Sequence, residues 1–420
     1  MPNLAVVILA AGKGTRLKSE LPKALHTLCG EPMLGILLQS AEALRPRKAI
    51  VVAGHKSGLV REYLNGRARH GGQARIVEQR ELLGSGHAVA QAAQALAGFN
   101  GPVLVLYCDT PLISAETMSA LLKKYRTAST DCALLSVVLK EPGDYGRVKR
   151  AADGSVEKIV EAGDASVAEK SIREINVGCY VFNSKKLFGA LKRVRRNPKK
   201  KEYYLTDAVE ILAERGGVQA VKVKSEEEVL GINSRQDLAL LQDIMQKKIL
   251  DRWIEKGVRI RDPRTTTIDA GVTIGPGTVV LPNTVIEDRC VIGKDCSIGP
   301  FARLRGGSKI GDGAVIGNFV EVVRSTVGRQ SLIKHLSYIG DAEVGSFVNI
   351  GAGTITANFD GKKKHKTVIK DKAQLGSGTV LVAPVTVGRG AKTGAGAVVT
   401  KGRNVPDYGV VVGMPARKLK

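Results

Sequence analysis

Residues 268–298 read IDAGVTIGPGTVVLPNTVIEDRCVIGKDCSI, and an aliphatic side chain returns at every sixth position. The ladder runs Ile268, Ile274, Val280, Ile286, Ile292, Ile298, Leu304, Ile310, Ile316 and Val322 without a miss. Four residues after each rung stands a small or β-branched residue: Val272, Thr278, Thr284, Cys290, Cys296, Ala302, Ser308, Ala314, Val320 and Thr326. A period of six suits neither the 3.6-residue turn of an α-helix nor the two-residue alternation of a strand. It is the pattern of a left-handed parallel β-helix, in which hexads form the flat faces of a prism.

Outward from that stretch the pattern changes in informative ways. The register slips by one residue between Val322 and Val327 and again between Ile339 and Val344. The segment TANFDGKKKHK at 356–366 breaks the ladder and is expected to loop out of the prism. Rungs resume at Ile369, Leu375, Leu381, Val387 and Thr393, and a basic tail follows. On the N-terminal side, residues 234–255 read as one helix. Asn233 or Ser234 can cap it, Leu238, Leu241, Met245 and Ile249 form its apolar stripe, and Gly257 can end it. Residues 1–230 instead alternate apolar runs (Leu4–Ala10, Ala49–Ala53, Val103–Tyr107, Ala133–Leu139, Val177–Phe182) with helical patterns, which predicts an α/β domain on a mostly parallel, Rossmann-like sheet. The expected organisation is therefore a 1–230 domain, a 231–262 linker helix and a 263–420 β-helix.

With 420 residues, two domains are the expectation. No apolar run approaches the roughly 18 residues of a membrane span. MPNLAVVILAAGKG lacks a basic leader and cleavage site, so it reads as a first strand of a soluble, cytoplasmic protein. None of the six cysteines forms a CxxC pair, which argues against zinc and redox motifs, and Cys290 and Cys296 fill positions where a small apolar side chain suffices. The net charge of +24 suits polyanionic substrates. No base-reading module accompanies it, so specific nucleic-acid binding is not expected.

The motif LAAGKGTRL (9–17) directly follows the first strand, and LPK follows at 21–23. Gly12 and Gly14 would let backbone N–H groups approach a phosphate chain, and a helix after them would add its N-terminal dipole. Arg16 can neutralise charge on phosphoryl oxygens. The order GxxxxGK[ST] of a Walker loop is absent. These motifs resemble those of sugar-nucleotide pyrophosphorylases. LGSGHA (83–88), YCDTPLI (107–113), YGR (145–147), VEAGDA (160–165), EINVG (174–178), EYYLTD (202–207) and GIN (231–233), taken with the hexads, narrow the resemblance. The chain resembles the bifunctional family of N-acetylglucosamine-1-phosphate uridylyltransferases and glucosamine-1-phosphate N-acetyltransferases, whose prisms carry acyl transfer.

The resemblance implies roles in the first half. Leu9, Ala10, Ala11, Gly12 and Lys23 would hold the nucleotide beside Tyr107 and Cys108, with Arg16 and Lys23 assisting catalysis. Gln79, Gly84 and Ser85 would read uracil and ribose, and Gly146, Glu161 and Asn176 the N-acetylated sugar. Asp109 and Asn233 would bind Mg²⁺. Asp109 suits that role, because a carboxylate at a strand end faces the crevice and Mg²⁺ prefers hard oxygen ligands. Asn233 could also serve as a helix cap. Ser85 stands where the family has threonine, and Cys108 where it has glycine.

In the second half the resemblance makes His335 the base that takes the amine proton, and His365 reads as a loop-surface residue. Arg305 would hold the sugar phosphate, and Tyr338 and Asn349 would face sugar and coenzyme. Ala352, Asn358, Phe359, Ser377, Ala395 and Arg417 would contact acetyl-CoA. Asn358 and Lys364, on the protruding loop, would reach a neighbouring subunit of a homotrimer. Three departures stand out: Val323 replaces a lysine, with Arg324 beside it; Gly306 replaces a proline; and the prism starts late. The small-molecule substrates implied are UTP, a sugar-1-phosphate and acetyl-CoA. The alternatives are a uridylyltransferase whose β-helix is inactive or acts on another acceptor, and a basic scaffold that binds nucleic acid.

Overall fold

The computed structural model describes residues 3–68, 72, 74–214 and 217–418. The chain divides into two compact units, residues 1–28 with 32–241 and residues 29–31 with 242–420.

The first unit is built on one sheet. Its strands are β1 (Ala5–Ala10), β2 (Lys48–Ala53), β3 (Arg75–Glu78), β4 (Pro102–Tyr107), β5 (Cys132–Val138), β6 (Arg147–Arg150), β7 (Val156–Val160), β8 (Glu174–Asn183) and β9 (Val218–Lys222). The order across the sheet is β9-β5-β8-β4-β1-β2-β3, with the β6–β7 hairpin attached to β8. β1 lies parallel to β2 and β4, and β8 runs antiparallel to β4 and β5. β1 is buried along its whole length, as a central strand covered on both faces must be. The expected strands are all present. β3, the β6–β7 hairpin and β9 were not foreseen, because Arg, Lys, Glu and Gln interrupt their apolar residues.

The helix Arg235–Glu255 begins in a reciprocal cap. Ser234 Oγ accepts from Asp237 N at 3.2 Å, while Asp237 Oδ2 accepts from Ser234 N at 2.7 Å and Asn233 N at 2.8 Å. Ser234 is thus the cap, and the Asn233 side chain is free for other work. Gly257, at φ 85°, ends the helix.

The second unit is a parallel β-helix of three sheets with ten, eight and seven strands among the described residues. Ile268, Ile286, Leu304 and Val322 stack in register at eighteen-residue intervals, one coil of three hexads each. Each slip shortens a coil by one residue, so Val322 pairs with Ile339. The interruption lengthens one coil, so Thr356 pairs with Leu381. Two readings are corrected. The first slip puts Ser325, buried at 2%, in the small-residue position and leaves Thr326 exposed. The prism also begins before Ile268, because Arg259–Ile260 already pairs with Val279–Val280; Ile260 lies off the six-residue period. Cys290 and Cys296 are buried and free, their thiols directed at carbonyls of Arg305 (3.3 Å) and Gly311 (3.2 Å). Among the described residues, no helix is long and apolar enough to cross a membrane.

Candidate active sites

In the first unit, the end of β1 opens onto a cavity of about 540 Å³. Leu9, Ala10, Ala11, Gly12 and Lys23 line it, as do Gln79, Gly84, Ser85, Tyr107, Cys108 and Asp109. It lies beyond the C-terminal ends of parallel strands, where such sheets place ligands. The loop after β1 does not enter an α-helix. Gly14, at φ 63°, leads into a single 3₁₀ turn, Thr15–Leu17. So short a turn carries little dipole, so the expected helix contribution is not found here. Gly14 itself is required: a Cβ there would lie 2.8 Å from Lys23 Cβ.

Lys23 Nζ donates to Asp109 Oδ2 at 2.7 Å and to Asn233 Oδ1 at 3.0 Å. Asp109 stands two residues past β4, and its carbonyl accepts from Ile232 N at 2.8 Å, which brings Asn233 opposite it. Two hard oxygens therefore converge on one cation. That donor set fits Mg²⁺, which is commonly held by one or two protein oxygens with phosphates and water completing the shell. Among the described residues, no group of three or more His, Cys, Asp or Glu forms a richer metal site.

Gly146, Glu161 and Asn176 come together beside this cavity. Asn176 N donates to the Gly146 carbonyl at 2.8 Å, and Glu161 accepts from Thr206 Oγ1 at 2.9 Å. Burial holds the Glu161 carboxyl above its ordinary range. Burial, then the charges of Glu210, Glu161 and Asp164, raise Asp207 to about 6. Ser85 hydrogen-bonds Tyr107, whose hydroxyl burial pushes up strongly, and also accepts from Leu205 N at 3.0 Å. Burial likewise pushes up the Cys108 thiol. Arg16 is not brought into the cavity: it stands exposed, 4.0 Å from Asp144. Lys13 lines the cavity instead, a residue that the sequence reading passed over.

In the second unit, Asn318 and His335 are register partners on adjacent coils, and Asn318 Oδ1 lies 2.8 Å from His335 Nδ1. A side-chain carbonyl only accepts, so with Asn318 Oδ1 in this place the imidazole donates from Nδ1, which leaves Nε2 as the ring nitrogen not engaged by Asn318. Below His335 the same prism corner continues down the stack. Gly353 N bonds the Leu336 carbonyl, Gly378 N that of Ala352, and Gly396 N that of Ser377. The turn residues of this corner are left-handed throughout, with Phe301, Phe319 and Leu336 above and Gly353, Gly378 and Gly396 below. A track without side chains at the turns thus starts under His335 and passes Ala352, Ser377 and Ala395. It spans roughly 14 Å over three coil spacings of about 4.8 Å. Arg417 follows on the closing strand, which pairs antiparallel with Val411–Val412.

On the neighbouring face, Tyr338 pairs in register with Glu321. Arg305, one coil earlier, stands 3.5 Å from the Glu321 carboxylate. Val323 lies between Arg305 and Gly340, only 1% exposed. Arg324 makes two 2.7 Å contacts to Asp341, whose carboxyl it holds below the ordinary range. Asp341 also accepts from Asn358 at the base of the interrupting segment. That segment is a hairpin loop: Phe359 pairs with Lys364, and Asp360 accepts from Lys362 N, Lys363 N and His365. His365 therefore staples the loop. Phe359 and Lys364 are exposed on it, and Asn349 is exposed on the sheet that carries His335. Asn318 was missed because its role depends on a coil register that only the folded prism shows.

Fold and sites together define a nucleotidyltransferase joined to a hexapeptide-repeat acetyltransferase. A family profile described as a MobA-like NTP transferase domain matches residues 6–206, and one described as bacterial transferase hexapeptide (six repeats) matches residues 289–324. The bifunctional protein GlmU of Geobacillus thermodenitrificans is 44% identical over 441 aligned positions, covering 97% of this chain and 94% of that protein. The bifunctional protein GlmU of Streptococcus thermophilus (strain LMD-9) is 40% identical over 447 positions, covering 98% and 95%. Among solved structures, a UDP-glucose pyrophosphorylase complexed with UDP-glucose matches 58% of this chain and 98% of its own at a TM-score of 0.47 and 19% identity. The chain belongs to the GlmU family of bifunctional enzymes, which combine uridylyltransferase and acetyltransferase activity.

Proposed function

We propose that the β-helix, residues 263–420, transfers acetyl from acetyl-CoA to glucosamine-1-phosphate. Residues 1–230 then join the product to UTP, releasing pyrophosphate, and residues 231–262 connect the two. In acetyl transfer the acceptor amine attacks the thioester carbon, a C–N bond forms and the C–S bond breaks. His335 Nε2 takes the amine proton and returns it to the departing thiolate. Asn318 holds the tautomer that makes this possible. The side-chain-free track accommodates the extended coenzyme, ending at Arg417, while Arg305, Tyr338 and Asn349 face the acceptor and the coenzyme. Lys364, exposed on the loop, reaches the site of a neighbouring copy in a homotrimer and Phe359 beside it contacts acetyl-CoA, whereas Asn358, buried at 7% and bound to Asp341, anchors the base of the loop instead of projecting to a neighbour as expected.

In uridylyl transfer a phosphate oxygen of the sugar attacks the α-phosphorus of UTP as the bond to the β-phosphate breaks. Asp109 and Asn233 would hold Mg²⁺, which supplies charge neutralisation on the phosphates. Loop N–H groups and Lys23 bind the phosphates, with Arg16 moving in from the rim. Gln79, Gly84 and Ser85 hold base and ribose, and Gly146, Glu161 and Asn176 hold the N-acetyl sugar.

The observation that carries the bifunctional reading is the Asn318–His335 pair at the head of the track. Buried Val323 favours a second reading, in which the β-helix acetylates a different acceptor, because no cation projects from that position. The test supplies glucosamine-1-phosphate, acetyl-CoA, UTP and Mg²⁺ and follows thiol release and pyrophosphate separately. Thiol release that depends on glucosamine-1-phosphate supports the first reading. Pyrophosphate from pre-acetylated sugar without any thiol release contradicts it and supports the second.

A further inference from the structure

Beside the nucleotide cavity stands His87, to which neither the motif reading nor the proposed mechanism gives a role, and it touches Gln79, the residue set against the base. Gln79, 3% exposed, turns its amide nitrogen toward the Gly84 carbonyl at 3.1 Å and toward His87 Nδ1 at 3.0 Å. A backbone carbonyl only accepts, so the Gly84 contact fixes which end of the amide is NH₂. Both N–H bonds are then spent within the protein, and the amide oxygen is left as the group that Gln79 can offer to a ligand. The second of those bonds exists only while His87 presents a lone pair at Nδ1, that is, while the imidazole is neutral with its proton on Nε2. The Gly84 N–H, next along the cavity wall, has no acceptor among the described residues. The wall therefore displays an acceptor and a donor in a fixed order. That order complements an imide edge, N–H beside C=O, and opposes the ring-nitrogen and amino edge of cytosine.

We propose that His87 is a positioning residue for base specificity: its Nδ1 locks the Gln79 amide so that the cavity selects a uracil-type imide over cytosine. This rests on the reading that the cavity holds the base of UTP. His87 is placed for the task by the helix Ser85–Gln91, whose first turn is anchored by Gly86 N on the Tyr203 carbonyl at 2.8 Å. Gln91 pulls the other way. Its amide nitrogen lies 3.0 Å from His87 Nε2 and 3.2 Å from the His87 carbonyl, an arrangement suited to the opposite tautomer. The two amides thus compete for one imidazole. Gln79 prevails because it is buried and held by the Gly84 carbonyl, whereas Gln91 is partly exposed, so water can replace its bond to the His87 carbonyl. Loss of His87 Nδ1 leaves the Gly84 carbonyl as the only one of the two bonds still holding the Gln79 amide, which lowers the cost of turning it to offer the other end.

The experiment measures kcat/KM for UTP and for CTP by pyrophosphate release in His87→Phe, which keeps the ring volume without the acceptor, and in His87→Asn, whose Oδ1 replaces Nδ1. The expected result is a UTP:CTP ratio at least about tenfold lower in His87→Phe and restored to within about threefold in His87→Asn, with thermal midpoints alike. Nitrogen NMR of the histidine-labelled wild-type protein should show Nδ1 unprotonated, which does not depend on turnover. An unchanged ratio in a folded His87→Phe, or a protonated Nδ1 at neutral pH, overturns the role of His87. A wild-type enzyme indifferent to UTP and CTP would instead contradict the assignment of the cavity to the uracil base.

Discussion

Replacing Asn318 with alanine removes the one side-chain hydrogen-bond partner of His335 among the described residues and leaves the ring in place. The bond removed is 2.8 Å long and joins exposed groups. Its net worth is therefore at the ordinary level of about 0.5–1.5 kcal/mol, which corresponds to roughly a two- to twelvefold loss in rate. Loss of the base itself costs roughly 10²–10⁴, so Asn318→Ala should be clearly milder than His335→Ala. The defect should appear in kcat for thiol release, because the wrong tautomer protonates Nε2 without altering the acetyl-CoA track. Asn318→Asp adds a second signature. A carboxylate on Nδ1 favours the imidazolium, which cannot accept a proton, so the acid limb of the pH–rate profile moves to higher pH. The assay is thiol release from acetyl-CoA with glucosamine-1-phosphate in excess. Asn318→Ala at wild-type rate, together with an unmoved limb in Asn318→Asp, would refute the argument that Asn318 sets the tautomer.

Other expectations follow from the first unit. Lys23→Met leaves the oxygens of Asp109 and Asn233 converging without their cation and removes a phosphate contact. Pyrophosphate release should fall by about 10² or more, in line with loss of a charge-stabilising group, while thiol release stays at wild-type level. Asp207 carries a pH signature. Its folded value, about 6, lies above the ordinary carboxylate value, so the charged form is the destabilising one. Stability should be undiminished below about pH 4, fall as pH rises toward 6, and keep that deficit above it. The group is only half-buried, so solvent screening reduces the cost to about 1 kcal/mol. Asp207→Asn should accordingly raise the thermal midpoint by about 2–4 °C at pH 8 and not at pH 4, as read by calorimetry.

The two halves were legible in the sequence to different degrees, for physical reasons. In the prism every rung of the ladder is an inward residue, so the six-residue period is the fold, and even the slips survive as shortened coils between Val322 and Val344. What the ladder could not give was the exact corner geometry. Ser325 rather than Thr326 takes the small position, and Ile260 starts the prism from outside the period. In the α/β unit the fully buried central strands stood out as apolar runs, whereas β3, β6 and β7 carry charged residues on a solvent-facing side. The site residues on motifs, such as Lys23, Asp109 and Asn233, are brought together as expected. Asn318 and His87 were invisible because each acts through a partner that only a coil register or a helix placement reveals. The position of Arg16 was not legible either, because its motif lies on the cavity loop while its side chain sits on the rim.

The central claim is that one chain runs two independent reactions, one at Asp109 and one at His335. The most direct measurement follows pyrophosphate and thiol release in parallel for Asp109→Ala and His335→Ala. With glucosamine-1-phosphate supplied for thiol release and pre-acetylated sugar phosphate for pyrophosphate release, the account predicts that Asp109→Ala abolishes pyrophosphate release and keeps thiol release, and that His335→Ala does the reverse. Loss of both products in either folded variant, or wild-type thiol release from His335→Ala, would contradict it.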